Sequence, residues 1–107
     1  MLYRFKSQAT GDLVMLEADG KHLLEIWGKD PSGPGVLLCA DMDAAAAALV
    51  KSAEDEERAI QAAKDDAKAA GEPPPDLPPV AWRARIQPML QTLKYCKAED
   101  APLRWEV

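Results

Sequence analysis

The chain is poor in the residues that most often carry chemistry. Its 107 residues include one histidine, one phenylalanine and two cysteines. His22, Cys39 and Cys96 each stand alone, whereas a structural zinc site usually brings local pairs such as C-x₂₋₄-C. A nucleophilic cysteine needs a cationic or helix-N-terminal setting. Neither cysteine has one in the local sequence, although Lys94 and Lys97 lie close to Cys96. Both cysteines read as small apolar packing residues. There is no apolar run near the ~18 residues of a membrane span. There is no excess of positive charge either. Thirteen Lys and Arg face eighteen Asp and Glu, for a net charge of -5, which repels phosphate backbones and anionic membrane surfaces. The first residues carry no apolar stretch suited to a signal peptide, so the expected location is cytoplasmic, with both thiols reduced.

What is present fits one globular domain spanning 1–107. Hydrophobic residues make up 48% and charged residues 29%, outside the range of disordered chains. Residues 1–7 alternate, with Met1, Tyr3 and Phe5 on one side and Leu2, Arg4 and Lys6 on the other, which predicts a half-buried strand. Residues 103–107 repeat the pattern through Leu103, Trp105 and Val107. The apolar run 36–39 reads as a strand buried on both faces. The expected fold class is therefore α+β. A three-stranded sheet (1–7, 36–39, 103–107), with 36–39 central, is covered by helices at about 20–28, 41–70 and 80–98.

Residues 10–28 are ambiguous. Leu23, Leu24, Ile26 and Trp27 share a helix face, with Asp19 as N-cap and Gly28 as stop, and 12–17 reads as a further short helix. The rival is a hairpin of 13–16 with 23–27 turned at Asp19-Gly20. From Asp41 the alanine run 44–48 favours a long helix, ended by Gly71. Its seam passes through Met42, Ala46, Leu49, Ala53, Glu56, Ile60, Ala63 and Ala67. Only the first half holds enough apolar bulk to dock, so residues from Glu54 onward should project, fray or pack shallowly, supported by a Glu54–Arg58 pair. The Pro-rich connection 72–79 should be extended polyproline II. Pro88 interrupts the last helical pattern and should kink it or open a second helix.

Tyr3, Phe5-Lys6-Ser7, Ala9, Gly11-Asp12, Met15-Leu16, Gly28-Lys29 and Gly35 form one set of recognisable positions. Met42 with the alanine-rich helix, Pro88-Met89-Leu90, Leu93 and the closing Pro102-Leu103-Arg104-Trp105-Glu106-Val107 complete it. Through these residues the chain resembles a family of small uncharacterised bacterial proteins, domain of unknown function 1840. Nothing in 55–79 carries the likeness. The resemblance implies a bacterial source, and it implies no activity and no catalytic residue.

The remaining candidates are weak as chemistry. Ser32-Gly33-Pro34-Gly35 lacks the Lys-Ser/Thr of a phosphate-binding loop. Glu54, Asp55, Glu56 and Glu57 are consecutive, which on a helix scatters carboxylates that a catalytic pair must converge. Pro75-Asp76-Leu77-Pro78 fits P-x-x-P but has acidic neighbours and no flanking arginine. No catalytic, cofactor-binding or metal residue is expected. The best reading is a non-enzymatic accessory or protein-interaction module of a bacterial cytosol, whose partner is another protein or a second copy of itself. Its possible interaction surface is Arg83, Arg85, Lys94, Lys97, Glu54 and Arg58. One alternative is a small-ligand binder or enzyme with a pocket near 10–29, using His22, Asp12 and Lys29. Another is a weak RNA binder through the basic helix 83–97, where Trp82 and Tyr95 interleave the cations. The net charge disfavours nucleic acid, and no membrane partner is expected. The plainer role for the basic face is to pair with the acidic helix 54–66, within or between chains.

Overall fold

The computed structural model describes residues 2–106. Met1 and Val107, assigned above to the terminal strands, lie outside the described residues. Alternation at the two ends makes strands β1 (Leu2–Ser7) and β4 (Leu103–Glu106). They pair antiparallel, with Phe5 opposite Trp105. Beside them stand β2 (Thr10–Leu16) and β3 (Gly35–Leu37). The sheet has four strands in the order β2-β1-β4-β3, not three.

Two expectations about this sheet are corrected. Residues 10–16 form a strand rather than a helix, because alternation carries on through the turn at Gln8-Ala9: Leu13 and Met15 lie opposite Phe5 and Tyr3. The hairpin partner of 13–16 is therefore β1, not 23–27. The segment 36–39 is not central. Gly35–Leu37 is an edge strand, Val36 and Leu38 are exposed, and Cys39 has already entered a 3₁₀ turn, Cys39–Asp41. The apolar run misled because Val36 lies on a sheet face that no helix covers.

Three helices complete the α+β fold: α1 (Glu17–Ile26), α2 (Met42–Ala69) and α3 (Trp82–Ala98). Neither Asp19 nor Asp41 caps with its side chain. Leu16 is the N-cap of α1, and Asp41 sits at the N-cap of α2 without a side-chain bond. All three helices end the same way. The C″ amide bonds the C3 carbonyl at Lys29–Leu24, Glu72–Ala67 and Ala101–Cys96, which satisfies the last carbonyls. The left-handed position is Gly28 (φ 70°) in α1, Gly71 (φ 69°) in α2 and Asp100 (φ 53°) in α3. Helix α3 runs unbroken through Pro88 and no second helix begins there. Pro88 and Ala84 are both exposed, so solvent can serve the carbonyl that proline leaves unpaired.

The helices bury one sheet face. Phe5, Leu23, Leu24, Leu49, Ile86, Met89, Leu103 and Trp105 form the centre of one core cluster. Phe5, Trp27 and Trp105 meet with ring centroids 6.0–6.5 Å apart. Trp27 Nε1 donates to the Ala45 carbonyl (3.1 Å), tying α1 to α2. The Trp105 ring covers Gly35, where a Cβ would lie 2.4 Å from the indole.

Trp105→Ala removes a side chain 2% exposed and should cost ~3–5 kcal/mol in urea unfolding; a loss of ordinary surface size would place β4 outside the core. Gly35→Ala should cost ~1–3 kcal/mol by forcing Trp105 aside. Gly33→Ala, with open space at its Cβ position, is the matched control and should change stability by ~0.5 kcal/mol or less.

Candidate functional site

Past Ala53 no residue of α2 is buried, as the thinning seam predicts. At this point three helices meet. Trp82, the first residue of α3, is buried and packs where α2 leaves the core. Its indole Nε1 donates to Ser52 Oγ (2.8 Å), and that hydroxyl donates onward to the Leu49 carbonyl (2.6 Å). Its backbone N–H donates to Glu56 Oε2 (3.0 Å). The N-cap of α3, Ala81, offers no side-chain bond, so a carboxylate from another helix caps it. One residue on, Arg83 donates through Nε (2.7 Å) and Nη2 (2.9 Å) to the two oxygens of Glu57. The bidentate guanidinium holds the Glu57 carboxyl below its ordinary range, and the carboxylate raises Arg83 in return.

These contacts frame a cleft of about 300 Å³ between α1, α2, the start of α3 and the end of the Pro-rich connection. His22 enters it from α1 and packs against Trp82 (centroids 4.5 Å apart, 52° between planes). Asp19, one helical turn before His22, accepts from Arg85 Nη1 (2.9 Å), and Arg85 Nε donates to the Val80 carbonyl (3.1 Å). An imidazole thus stands in a concave site with two carboxylates, Asp19 and Glu56. The other members of the expected 10–29 pocket are elsewhere. Asp12 pairs with Arg4 on the sheet (3.8 Å), and Lys29 lines a separate hollow with Trp27 and Leu37.

Most of the expected interaction surface is engaged within the chain. Arg83 meets Glu57, Arg85 meets Asp19, and Lys97 meets Asp43. Arg58 pairs with Asp55, which Lys51 also holds (2.9 Å), so the supporting pair is Asp55–Arg58 rather than Glu54–Arg58. The two cations lower the Asp55 carboxyl. Glu54 is exposed and adds to the field that raises Arg83. Lys94 makes no ion pair among the described residues and lines a groove with Met42, Leu90 and Leu93. No group of three His, Cys, Asp or Glu could hold a metal among the described residues. Burial pushes the Cys39 thiol up and nearby Asp100 adds to it, which opposes thiolate chemistry.

The junction that organises the site, Ser52 and Glu56 on Trp82, was not read from the sequence. The available signal was Glu56 itself, a carboxylate on a seam otherwise filled by apolar and small residues.

The fold and site define a small α+β protein whose helices cover one face of a four-stranded sheet. The chain belongs to the family described as a domain of unknown function (DUF1840), whose model matches residues 1–105. No curated protein and no solved structure matches it.

Glu56→Ala should cost ~0.5–2 kcal/mol as a lost helix cap and speed amide exchange at the start of α3. The Glu57 carboxyl is lowered in the folded state, so its contribution is present above the unfolded value, ~4.3, and is lost as pH falls through the lower folded value. Glu57→Gln should therefore be less stable than the parent near neutrality, and the gap should close in acid. A gap constant across that window would contradict the Arg83–Glu57 assignment.

Proposed function

We propose that the chain is a non-enzymatic protein-interaction module of a bacterial cytosol, and that it presents the outer half of α2 to its partner. The observation that carries this is the unequal use of one helix. α2 has 28 residues, and its buried positions are Met42, Ala45, Leu49 and Ala53, all in the first half. Beyond Glu57, only Ile60 and Ala67 are even half-buried. The helix is roughly 42 Å long, and it sits in a molecule whose longest extent is 53 Å against 27 and 21 Å. The stretch beyond Glu57, about a dozen residues, would be marginal in water as an isolated helix. Here the alanines, the Lys51–Asp55–Arg58 contacts and the Glu56–Trp82 junction hold the helix out from the body. No helix of the described residues is long and apolar enough to cross a membrane, and both cysteines are free, which suits a reducing compartment.

A second reading, a small-ligand site, is favoured by His22 lying with Asp19 and Glu56 around the cleft. Its polar groups are largely committed to one another, however, which supports a structural junction more than a receptor. Weak RNA binding loses support for a similar reason. Of the four cations on α3, three face carboxylates, and Lys94 is left with the exposed Tyr95.

Replacing 59–80 by a short Gly/Ser loop tests the proposal. Since no residue in that stretch is buried, stability should change by about 1 kcal/mol or less. Proteins retained reproducibly from the native lysate by the full chain should be lost. Retention of the same proteins by the shortened chain would refute the role of the outer helix.

A further inference from the structure

The sheet order leaves two strand edges, those of β2 and β3. An open edge displays unpaired backbone donors and acceptors, and proteins commonly blunt it with short strands, lysine or proline. β3 is blunted: it has three residues and is entered through Pro34. β2 has seven residues with no proline and no lysine. The β1 pairing skips one residue of β2 between Leu13 and Thr10, a bulge opposite Lys6. From Leu13, opposite Phe5, to Leu16, opposite Leu2, the pairing is regular. Three of the four exposed large apolar side chains on the described strands lie on or beside this edge: Leu16 is 67% exposed, Leu2 50% and Val14 45%, with Val36 at 42% on β3. Leu13, on the helix-covered side, is only half-buried although its neighbour Met15 is buried.

We propose that the β2 edge is the pairing surface for a second copy of this chain. The two copies join antiparallel about a two-fold axis at Val14, giving one eight-stranded sheet. The 12–16 run is self-complementary in this register. Val14 faces its own copy, Leu13 faces Met15 of the second copy, and Asp12 faces Leu16. The only ionisable side chain of the run, Asp12, already pairs with Arg4 (3.8 Å), so no like charges oppose across the seam. Gly11 has open space at its Cβ position, and in this register it lies opposite Glu17 of the second copy, where α1 begins. The interface is isologous and closes on itself, so it ends at two chains rather than growing into a fibre. This surface is separate from the outer half of α2, and its test is independent of that proposal.

Sedimentation of the full chain over a concentration series, with two cysteine variants, decides it. The wild type should move from one chain to two as concentration rises to ~0.5 mM, the weak-affinity range expected of a small interface. Val14→Lys places two ammonium groups face to face and should weaken association by about tenfold or more. Circular dichroism should show that fold unchanged, since Val14 lies on the open sheet face. On mild oxidation Val14→Cys should give a covalent two-chain species, while Val36→Cys on the other edge should give none beyond the wild-type background. A single-chain mass throughout the series would overturn the proposal. So would association of Val14→Lys equal to wild type, or linkage through Val36→Cys as efficient as through Val14→Cys.

Discussion

Phe5 lies opposite Trp105 where the first strand pairs with the last, and the other elements are arranged around that contact. Bringing together residues one hundred positions apart carries a loop-closure cost that only substantial burial can offset. Both side chains supply it: Phe5 is fully buried and Trp105 2% exposed. The consequences spread outward. Trp27 reaches the pair from α1, so the first helix is set against the sheet centre. Gly35 is needed in β3 because the Trp105 ring occupies the space above it. Leu103 and Leu37, opposite each other, carry the same core face to the sheet edge.

A second constraint acts on the long helix. Its acidic run is not one solvated face. Glu56 caps α3, Glu57 clamps Arg83, Asp55 gathers Lys51 and Arg58, and Glu54 stays in solvent near Arg83. Four consecutive carboxylates thus do three different jobs, because successive helix positions turn by about a quarter circle. The α2–α3 junction marks the boundary between the docked and the projecting parts of α2. It also explains why the basic residues of α3 do not form a free patch.

How far the fold is legible in the sequence follows from where packing, rather than local pattern, makes the choice. The terminal strands are legible because their alternation is strict and one face is buried. Helices α2 and α3 are legible because long periodic patterns leave little choice. The segment 10–16 is not, since Leu13-Val14-Met15-Leu16 has no period of its own until β1 supplies one. The place of 35–37 at the edge is hidden because Val36 is apolar yet exposed. For the candidate site, the pairing of α3 cations with acidic helix residues was expected in kind, and Glu57–Arg83 fulfils it. The partners Asp19 for Arg85 and Asp43 for Lys97 lie far away in sequence, and only the packing of α1 and α2 brings them near. Glu56 is visible as an oddity on the seam, but its role depends on where Trp82 arrives after the Pro-rich connection.

The outcome is a chain whose ends build its centre and whose middle reaches outward. Residue-resolved amide exchange tests this division most directly. The amides shared between β1 and β4 should be among the slowest in the molecule, with 58–69 of α2 markedly faster. Exchange of the β1 and β4 amides at the rate of the 29–34 loop would contradict the account.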